Sequence, residues 1–379
     1  MRKLIQIAAS TAIVVSTTVL AMGAAGTALA DPPAGTTPKE TDVVGVGSDT
    51  TEFLADQLAF DYNKSHATGP RLFSWDATNP KTGAIGDSIT TKSGCSASPR
   101  PDGASAGITA LLTNAKTSDG KHFCIDYVNN TRPRASTDPP KGPGGILFVT
   151  FGKDAISYAT NATSNAPANL TTAQLNSIYT CIATTWNQVG GTSTATIQAF
   201  LPQNGSGLRN AFLKDIGVVT PGPCTNSSVQ QNEGIDPQYA NNPNAIVPYS
   251  VGKYIAQVFH SAKCLNATCT GSPACKPTKT QNRFGCDTHG SMVLRSINST
   301  KPTTGTGTST VINSHFSANF IRTVFAVVRW ASTRDNIPKY LDKFFGTAKR
   351  GGWICGNKTA HKDLINYGFL PTPFCGTGS

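Results

Sequence analysis

The strongest constraint on the fold is a junction that recurs along the chain, where a turn rich in glycine and hydroxyl side chains opens a helix. One such turn, residues 47–52, follows an apolar run at 43–46, and a later one, residues 203–207, follows an apolar run at 196–201. A third turn, residues 102–107, opens a helix without a clear strand before it. Strand-like runs that alternate with helical stripes predict α/β layers with mostly parallel sheets. Ligands of such folds bind where strands end and helices begin.

Two predicted helix starts have the spacing of a capping box, in which each of two residues bonds to the backbone of the other. Asp49 precedes Glu52 by three positions, and Thr171 precedes Gln174 in the same way. A helix N-terminus carries unpaired N–H groups and a positive dipole end, and both favour an anion. The helix-opening turns are therefore candidates for an anion site, although the same residue types also make ordinary caps.

The first 30 residues have the pattern of a secretory signal peptide. Two basic residues precede an apolar run to about Leu20, and residues 28–30 have the small-x-small pattern of a cleavage site. We therefore expect a secreted protein, extracellular or at the cell surface, whose mature chain starts at Asp31. A membrane anchor is the alternative, which the shortness of the apolar run disfavours. The first cysteine is Cys95, so a lipid anchor at the mature N-terminus is not predicted.

The cysteines also indicate export. All 10 lie after residue 30, and an even number in an exported chain predicts disulfide bonds. Neighbouring cysteines are expected to pair: Cys95 with Cys124, Cys181 with Cys224, and Cys355 with Cys375. The other four lie in an insertion at residues 264–289, and their pairing stays open: Cys264, Cys269, Cys275 and Cys286. A zinc site with His260 and His289 is the alternative there, although the spacing lacks a C-x-x-C pair.

The formal net charge of +11 at pH 7 favours anionic partners. The basic residues are spread along the chain without a run interleaved with aromatic residues, so nucleic-acid binding is not predicted. The sequence contains no H-E-x-x-H motif, no Walker loop and no dinucleotide fingerprint with its acidic partner. We therefore expect no metal or other cofactor.

Taken in order, these segments resemble the substrate-binding proteins of phosphate ABC importers, in the variant typical of actinobacteria. Residues 45–51 are similar to the opening motif of that family, and residues 170–179 with 185–188 are similar to its helix and turn. Residues 203–207 are similar to its anion loop. Near the C-terminus, residues 344–346 and 367–371 also match, so the resemblance covers most of the chain after residue 30.

The resemblance implies an α/β fold of the two-lobed periplasmic-binding-protein type, type II, with the ligand in the cleft between the lobes. Lobe 1 is expected to comprise residues 41–154 and 321–379, and lobe 2 residues 155–320 with the insertion at 264–289. Residues 31–40 are expected to be a flexible lead.

The implied function is that of a secreted solute-binding protein, a monomer that binds phosphate or a related oxoanion for uptake by an ABC importer in the membrane. Hydroxyl and backbone N–H donors suit such a ligand because an oxoanion is rich in acceptors. The residues that the resemblance places at the ligand are Ser48, Asp49, Thr50 and Thr51 from one lobe and Gly205, Ser206 and Gly207 from the other.

The chain departs from the family at three places. Pro202 occupies the position of an arginine, for which Arg209 is the candidate substitute, and Leu208 replaces a threonine. The strand at residues 125–127 does not lead into the carboxylate that accepts the proton of hydrogen phosphate in the family. Arg132 and Arg134 follow that strand and are candidate cleft residues, because arginine binds oxoanions through paired hydrogen bonds. Selectivity over sulfate or a phosphorylated compound is therefore left open.

Two other functions compete with this one. Ser105 lies in a G-x-S-x-G segment at residues 103–107, the nucleophile pattern of serine hydrolases. That pattern needs a buried strand directly before it, which residues 98–102 do not provide, so an enzyme is not predicted. Arg100 and Asp102 are then candidate cleft residues. The other alternative is a secreted surface or interaction protein that has kept the binding-protein fold without transport.

Overall fold

The computed structural model describes residues 31–32, 36–80, 84–260 and 289–379. The predicted signal peptide and the four cysteines of the predicted insertion lie outside the described residues. Within the described part of the chain, no helix is both long enough and apolar enough to cross a membrane.

Short and long strands alternate with helices in the described residues, which confirms the predicted α/β class. The strands are β1 Val43–Gly47, β2 Leu72–Ser74, β3 Ser88–Ile89, β4 Ser98–Pro99, β5 Tyr127–Asn130, β6 Ile146–Asn161, β7 Asn169–Leu170, β8 Gln198–Pro202, β9 Thr225–Val229, β10 Ala245–Ser250, β11 Met292–Leu294, β12 Ser296–Ile297, β13 Thr303–Thr304, β14 Val311–Ile312 and β15 Ile321–Arg329. The α-helices are α1 Glu52–Ser65, α2 Ala104–Leu112, α3 Thr172–Tyr179, α4 Gly207–Asp215, α5 Val251–Ile255, α6 Lys339–Phe345, α7 Trp353–Gly356 and α8 Lys358–Asn366.

The main sheet runs in the order β2-β1-β5-β15-β6-β10-β8-β9, with β11 also paired to β6. The strands on both sides of the centre pair in parallel, as the sequence predicts. The two long central strands, β6 and β15, are antiparallel to each described strand with which they pair. Strands β6 and β15 pair along their length, from Ile321 opposite Ala155 to Arg329 opposite Ile146. They therefore pass through the middle of the molecule and connect its two halves.

The buried apolar residues fall into separate cores on either side of this connection. One core is formed between residues 155 and 320 and includes Tyr179, Trp186 and Phe212. The other is built mainly from residues 43–151 and 324–369 and includes Leu54 and Phe344. Two cores joined by crossing strands make the molecule two-lobed. The lobe boundaries near residues 154 and 321 remain a proposal, and this division of the apolar residues supports it.

The helix starts show where local sequence decides the structure and where it does not. Thr171 and Gln174 form the predicted capping box, with Gln174 N donating to the Thr171 hydroxyl at 3.2 Å and Thr171 N donating to Gln174 Oε1 at 2.7 Å. The second predicted box is wrong, because α1 begins at Glu52 after a 3-10 turn and has no side-chain cap. The carboxylates of Asp49 and Glu52 instead bind a lysine far along the chain, as described below.

The three disulfides predicted from neighbouring cysteines are confirmed: Cys95–Cys124, Cys181–Cys224 and Cys355–Cys375. Disulfides form and persist in oxidising compartments, so they agree with a protein that works outside the cytosol.

Candidate functional site

Three of the helix-opening turns meet where the two lobes face each other. Gly103 N donates to Gly47 O at 3.2 Å, which places the start of α2 against the end of β1. A Cβ atom on Gly103 would lie 3.7 Å from Gly205 O, and one on Gly205 would lie 3.7 Å from Ser105 Cβ. The turn before α4 therefore contacts the turn before α2 across the junction. The predicted ligand residues of the two lobes are brought into the same region.

Two glycines permit this close approach. Gly47 has a φ of +127°, a conformation that side chains disfavour, and a Cβ atom there would lie 2.6 Å from Asn129 O. Gly207, the first residue of α4, would place a Cβ atom 2.9 Å from Thr131 Oγ1 and 3.3 Å from Arg132 N. A larger residue at Gly47 would push the ends of β1 and β5 apart, and one at Gly207 would push the first turn of α4 away from the two residues that follow β5.

In lobe 1, the predicted residues at the start of α1 are all buried. Ser48 Oγ lies 3.1 Å from Thr131 Oγ1, so one hydroxyl donates to the other. Thr50 Oγ1 accepts from Asn232 Nδ2 at 3.4 Å. Thr51 is 1% exposed, and its hydroxyl has no hydrogen-bond partner among the described residues. A buried hydroxyl without a partner is costly, so Thr51 carries an unused hydrogen-bonding group close to the lobe junction.

In lobe 2, Ser206 caps α4, and its hydroxyl accepts from Arg209 N at 3.2 Å and donates to Gln231 Oε1. Gln231 is 0% exposed, and within the part of the chain that the structure describes its Nε2 group has no hydrogen-bond partner. The side chain of Arg209 donates to Pro202 O at 2.9 Å, and burial lowers its pKa. Arg209 thus binds the strand before its own helix, and its role as a substitute for the missing arginine stays a prediction.

A buried lysine that the sequence pattern does not predict lies beneath α1. Lys253 Nζ lies 2.7 Å from Glu52 Oε1 and 3.1 Å from Asp49 Oδ1, with the lysine side chain 0% exposed. Asn232 Nδ2 donates to the other oxygen of Asp49 at 2.8 Å. The local spacing of Asp49 and Glu52 predicts a capping box, but the buried ammonium group outcompetes it, since an unpaired buried charge is far more costly than an absent cap.

The second missed cation is Arg322, which lies on the crossing strand β15 and is 8% exposed. Its guanidinium donates to Asp154 Oδ2 on the other crossing strand at 2.8 and 3.1 Å. It also reaches Thr131 O at 3.3 Å and Thr50 Oγ1 at 3.4 Å. Arg322 therefore lies beneath the predicted ligand residues of lobe 1. An arginine within an apolar strand is the signal that could have identified it, because buried charges need a specific partner.

Arg132 lies at the edge of the junction, as predicted for a cleft residue, but its charge is compensated. Its guanidinium donates to both oxygens of Asp138 at 2.7 and 2.9 Å and to Ser105 Oγ at 3.0 Å. Burial raises the pKa of Asp138, but the hydrogen bonds from Arg132 and Ala135, together with the charges of Arg132 and Arg134, outweigh it, so the net shift is downward. Arg134 instead donates to Ile146 O and Ser379 O at 2.8 and 3.0 Å.

Of the two candidates before Ser105, only Asp102 takes part in the lobe contact. Gln203 Nε2 donates to its two oxygens at 3.1 Å each, and Gln230 Nε2 donates to it at 2.9 Å. Burial raises the pKa of Asp102, and these amide hydrogen bonds oppose the rise. Arg100 is a structural residue, because its buried guanidinium binds the carboxylates of Asp31 and Asp87.

The geometry around Ser105 does not suit a nucleophile. Its hydroxyl accepts a hydrogen bond from Arg132. Asp102, the residue before Gly103, forms an isolated β-bridge with Gly47 and is not part of a strand in the described residues. A hydrolase needs a strand directly before this turn and a base beside the serine. Among the described hydrogen bonds, Ser105 has none to a histidine.

A cavity of about 390 Å³ adjoins the lobe junction. We call it the side pocket and define it by six of its lining residues: Arg132, Arg134, Lys214, Asp215, Arg322 and Phe325. Burial raises the pKa of Asp215 to about 7, although Arg322 and Lys214 lower it. The side pocket therefore shares Arg132 and Arg322 with the surroundings of the predicted ligand residues.

Comparison with known proteins supports this fold. Residues 32–267 match the sequence profile of a family described as a PBP superfamily domain. An ABC-type phosphate transport receptor from Vibrio cholerae is 18% identical and has a TM-score of 0.51, covering 87% of this chain and 100% of the receptor. A putative phosphate ABC transporter substrate-binding protein from Clostridium perfringens, with bound phosphate, is 14% identical and has a TM-score of 0.54, covering 87% and 99%. No curated protein sequence matches the chain.

Proposed function

Because the chain belongs to the PBP superfamily, a family of binding proteins rather than enzymes, we propose that it is an exported solute-binding protein that holds phosphate or a related small oxoanion between its two lobes. Export through residues 1–30, a monomeric state and delivery of the ligand to an ABC-type importer belong to this proposal. The two similar structures support the choice of ligand, because one is an ABC-type phosphate transport receptor and the other is a putative phosphate ABC transporter substrate-binding protein with bound phosphate.

The observation that carries the proposal is the meeting of three helix-opening turns at the lobe junction. Each turn directs the N-terminus of a helix into the same region, and such ends attract anions through free N–H groups and the helix dipole. Two buried side chains beside them, Thr51 and Gln231, have hydrogen-bonding atoms that find no partner in the described residues. A bound oxoanion would supply the missing acceptor for both.

The charges nearby indicate how the anion would be held. Lys253 is paired with Asp49 and Glu52, and Arg322 is paired with Asp154. Because these acids compensate the cations, most of the binding would come from neutral donors, as in sites where dipoles replace the hydration shell.

The same arrangement bears on selectivity. Asn129, Asn130 and Thr131 stand at the end of β5, where the resemblance implies a carboxylate that recognises a protonated oxoanion. Without that carboxylate, a fully ionised anion meets no repulsion from this position. We therefore expect sulfate to compete with phosphate.

One observation favours the alternative of an interaction protein. Asp102 contacts Gln203 and Gln230, and Asp49 contacts Asn232, so protein groups already join the lobes. If these contacts were permanent, the cleft would stay closed to a ligand. A solute-binding protein must instead exchange them for ligand contacts by hinge motion.

Thermal unfolding with phosphate, sulfate or chloride separates these functions. A ligand that binds only the folded protein raises its melting temperature by mass action, so phosphate and sulfate should raise it and chloride should not. Gly207→Ala should weaken phosphate binding at least tenfold, because the added methyl group would meet Thr131 at 2.9 Å. Gly356→Ala is the matched control, since its nearest neighbour would be at an ordinary 3.4 Å. Equal phosphate affinity in the two variants would refute the proposed site.

A further inference from the structure

We propose that the physiological ligand is a phosphomonoester of a small polyol or sugar, with its phosphoryl group among the helix starts and its hydroxylated carbon skeleton in the side pocket. This inference rests on the proposed function and specifies its substrate class.

The size of the side pocket is the first argument. Its volume is about 390 Å³, which lies within the range of roughly 300–1,000 Å³ that is typical of small-molecule sites. At about 30 Å³ for each water, the same space would hold about a dozen waters. An inorganic oxoanion has only five non-hydrogen atoms, so it would leave most of this space to solvent.

The side pocket also shares two arginines, Arg132 and Arg322, with the surroundings of the predicted phosphoryl site. Arg132 N lies 3.3 Å from the Cβ position of Gly207, the first residue of α4. Arg322 donates to Thr131 O and approaches Thr50 Oγ1, while it also lines the side pocket. A ligand whose phosphoryl group contacts these residues would direct its ester oxygen toward the side pocket.

The third argument is the chemistry of the walls. Ile321, Phe325 and Ala211 provide apolar surface for carbon atoms, while Asn210 and Asn319 provide amide groups that can bind hydroxyls. Apolar walls with a few placed polar groups are typical of sites for small organic ligands.

The charges of the lining disfavour a cationic occupant. Arg132 and Arg322 are compensated by Asp138 and Asp154 outside the lining. The other charged lining residues are Arg134, Lys214 and Asp215, and the raised pKa of Asp215 leaves its carboxylate only partly ionised at neutral pH. The side pocket therefore has a net positive charge, which suits a ligand that carries one phosphoryl group on a neutral, hydroxylated skeleton.

Calorimetric titration of the purified protein with inorganic phosphate, glycerol 3-phosphate and glucose 6-phosphate tests the proposal, with glycerol and glucose as unphosphorylated controls. At least one phosphomonoester should bind tenfold or more tightly than inorganic phosphate. Asn210 is an exposed lining residue, so the Asn210→Trp side chain should fill the side pocket from the solvent side. This variant should lose the preference for the ester, while its affinity for inorganic phosphate should stay within about twofold of that of the natural protein. Lys214→Glu provides a second variant that does not depend on a bulky side chain, and it should reduce the preference in the same way.

The matched control is Asn241→Trp, an exposed asparagine that does not line the side pocket. It should retain the full preference for the ester. Binding of inorganic phosphate that is as tight as that of both esters, or an unchanged preference in both pocket variants, would overturn this inference and leave the proposed function standing. No binding of phosphate or of either ester would overturn both.

Discussion

Thr51→Val is the substitution for which the structure predicts opposite effects on stability and on binding. The Thr51 hydroxyl is buried at the start of α1, and no described residue forms a hydrogen bond with it. A buried polar group in this state costs about 1–3 kcal/mol, and valine replaces the hydroxyl with a methyl group of similar size. The free energy of unfolding without ligand should therefore rise by about 1 kcal/mol, which corresponds to about 2 °C in melting temperature.

The affinity of the same variant for phosphate should fall. A hydrogen bond to a charged group contributes about 1.5–3 kcal/mol, and each 1.4 kcal/mol is a factor of about ten in the dissociation constant. Thr51→Val should therefore bind phosphate about 10- to 100-fold more weakly in a calorimetric titration, although its fold is more stable.

Thr160→Val is the matched control. Thr160 is equally buried, but its hydroxyl accepts from Arg295 Nε at 2.7 Å in the interior of lobe 2. Its loss should lower the free energy of unfolding by about 1–3 kcal/mol and leave phosphate affinity unchanged. If Thr51→Val is instead less stable than the natural protein and binds phosphate equally well, Thr51 has a structural role and the reasoning fails.

Two further predictions concern pH and export. Because burial raises the pKa of Asp215 to about 7 from an ordinary 3.8, the folded protein favours its protonated form, and the associated stability is lost as pH rises from about 4 to about 7. The melting temperature of Asp215→Asn should equal that of the natural protein near pH 4 and should exceed it by an increasing amount up to neutral pH. A difference in melting temperature that stays constant across this range would contradict the raised pKa of Asp215. The exported protein should begin at Asp31 in N-terminal sequencing, and retention of residues 1–30 in the secreted protein would refute the predicted signal peptide.

The sequence predicts best those features that depend on near neighbours. The disulfides join cysteines 20 to 43 residues apart, and the capping box of Thr171 and Gln174 is complete within four residues. The helix expected after the turn at residues 203–207 is α4, which spans Gly207–Asp215. Turn chemistry and helical periodicity act over the same short distances, so each of these elements could be derived from its own segment.

The errors come from partners that are distant in sequence. Local spacing predicts that the Asp49 carboxylate caps a helix, but this carboxylate binds Lys253, which lies 204 residues away in sequence. Arg100 looks like a cleft residue beside Ser105, but it binds Asp31, 69 residues earlier. Tertiary pairing of buried charges overrides such local signals, and a single sequence does not reveal which distant groups will meet.

Arg322 shows the same limitation within one strand. The segment at residues 320–330 is strongly apolar in sequence and contains β15, but its periodicity does not identify the charged side chain that reaches the lobe junction. Its partner, Asp154, is its register neighbour on β6, which becomes visible only when the two crossing strands are paired.

The most direct test of the central claim is a crystal structure of the protein grown with arsenate and measured at the arsenic absorption edge. Arsenate has the shape and charge of phosphate, and its anomalous signal locates it independently of the protein atoms. The account predicts one strong peak at the lobe junction, within hydrogen-bond distance of Thr51 Oγ1 and Gln231 Nε2. An empty junction in crystals grown at saturating arsenate, or a peak only elsewhere on the molecule, would contradict the claim that the two lobes hold an oxoanion between them.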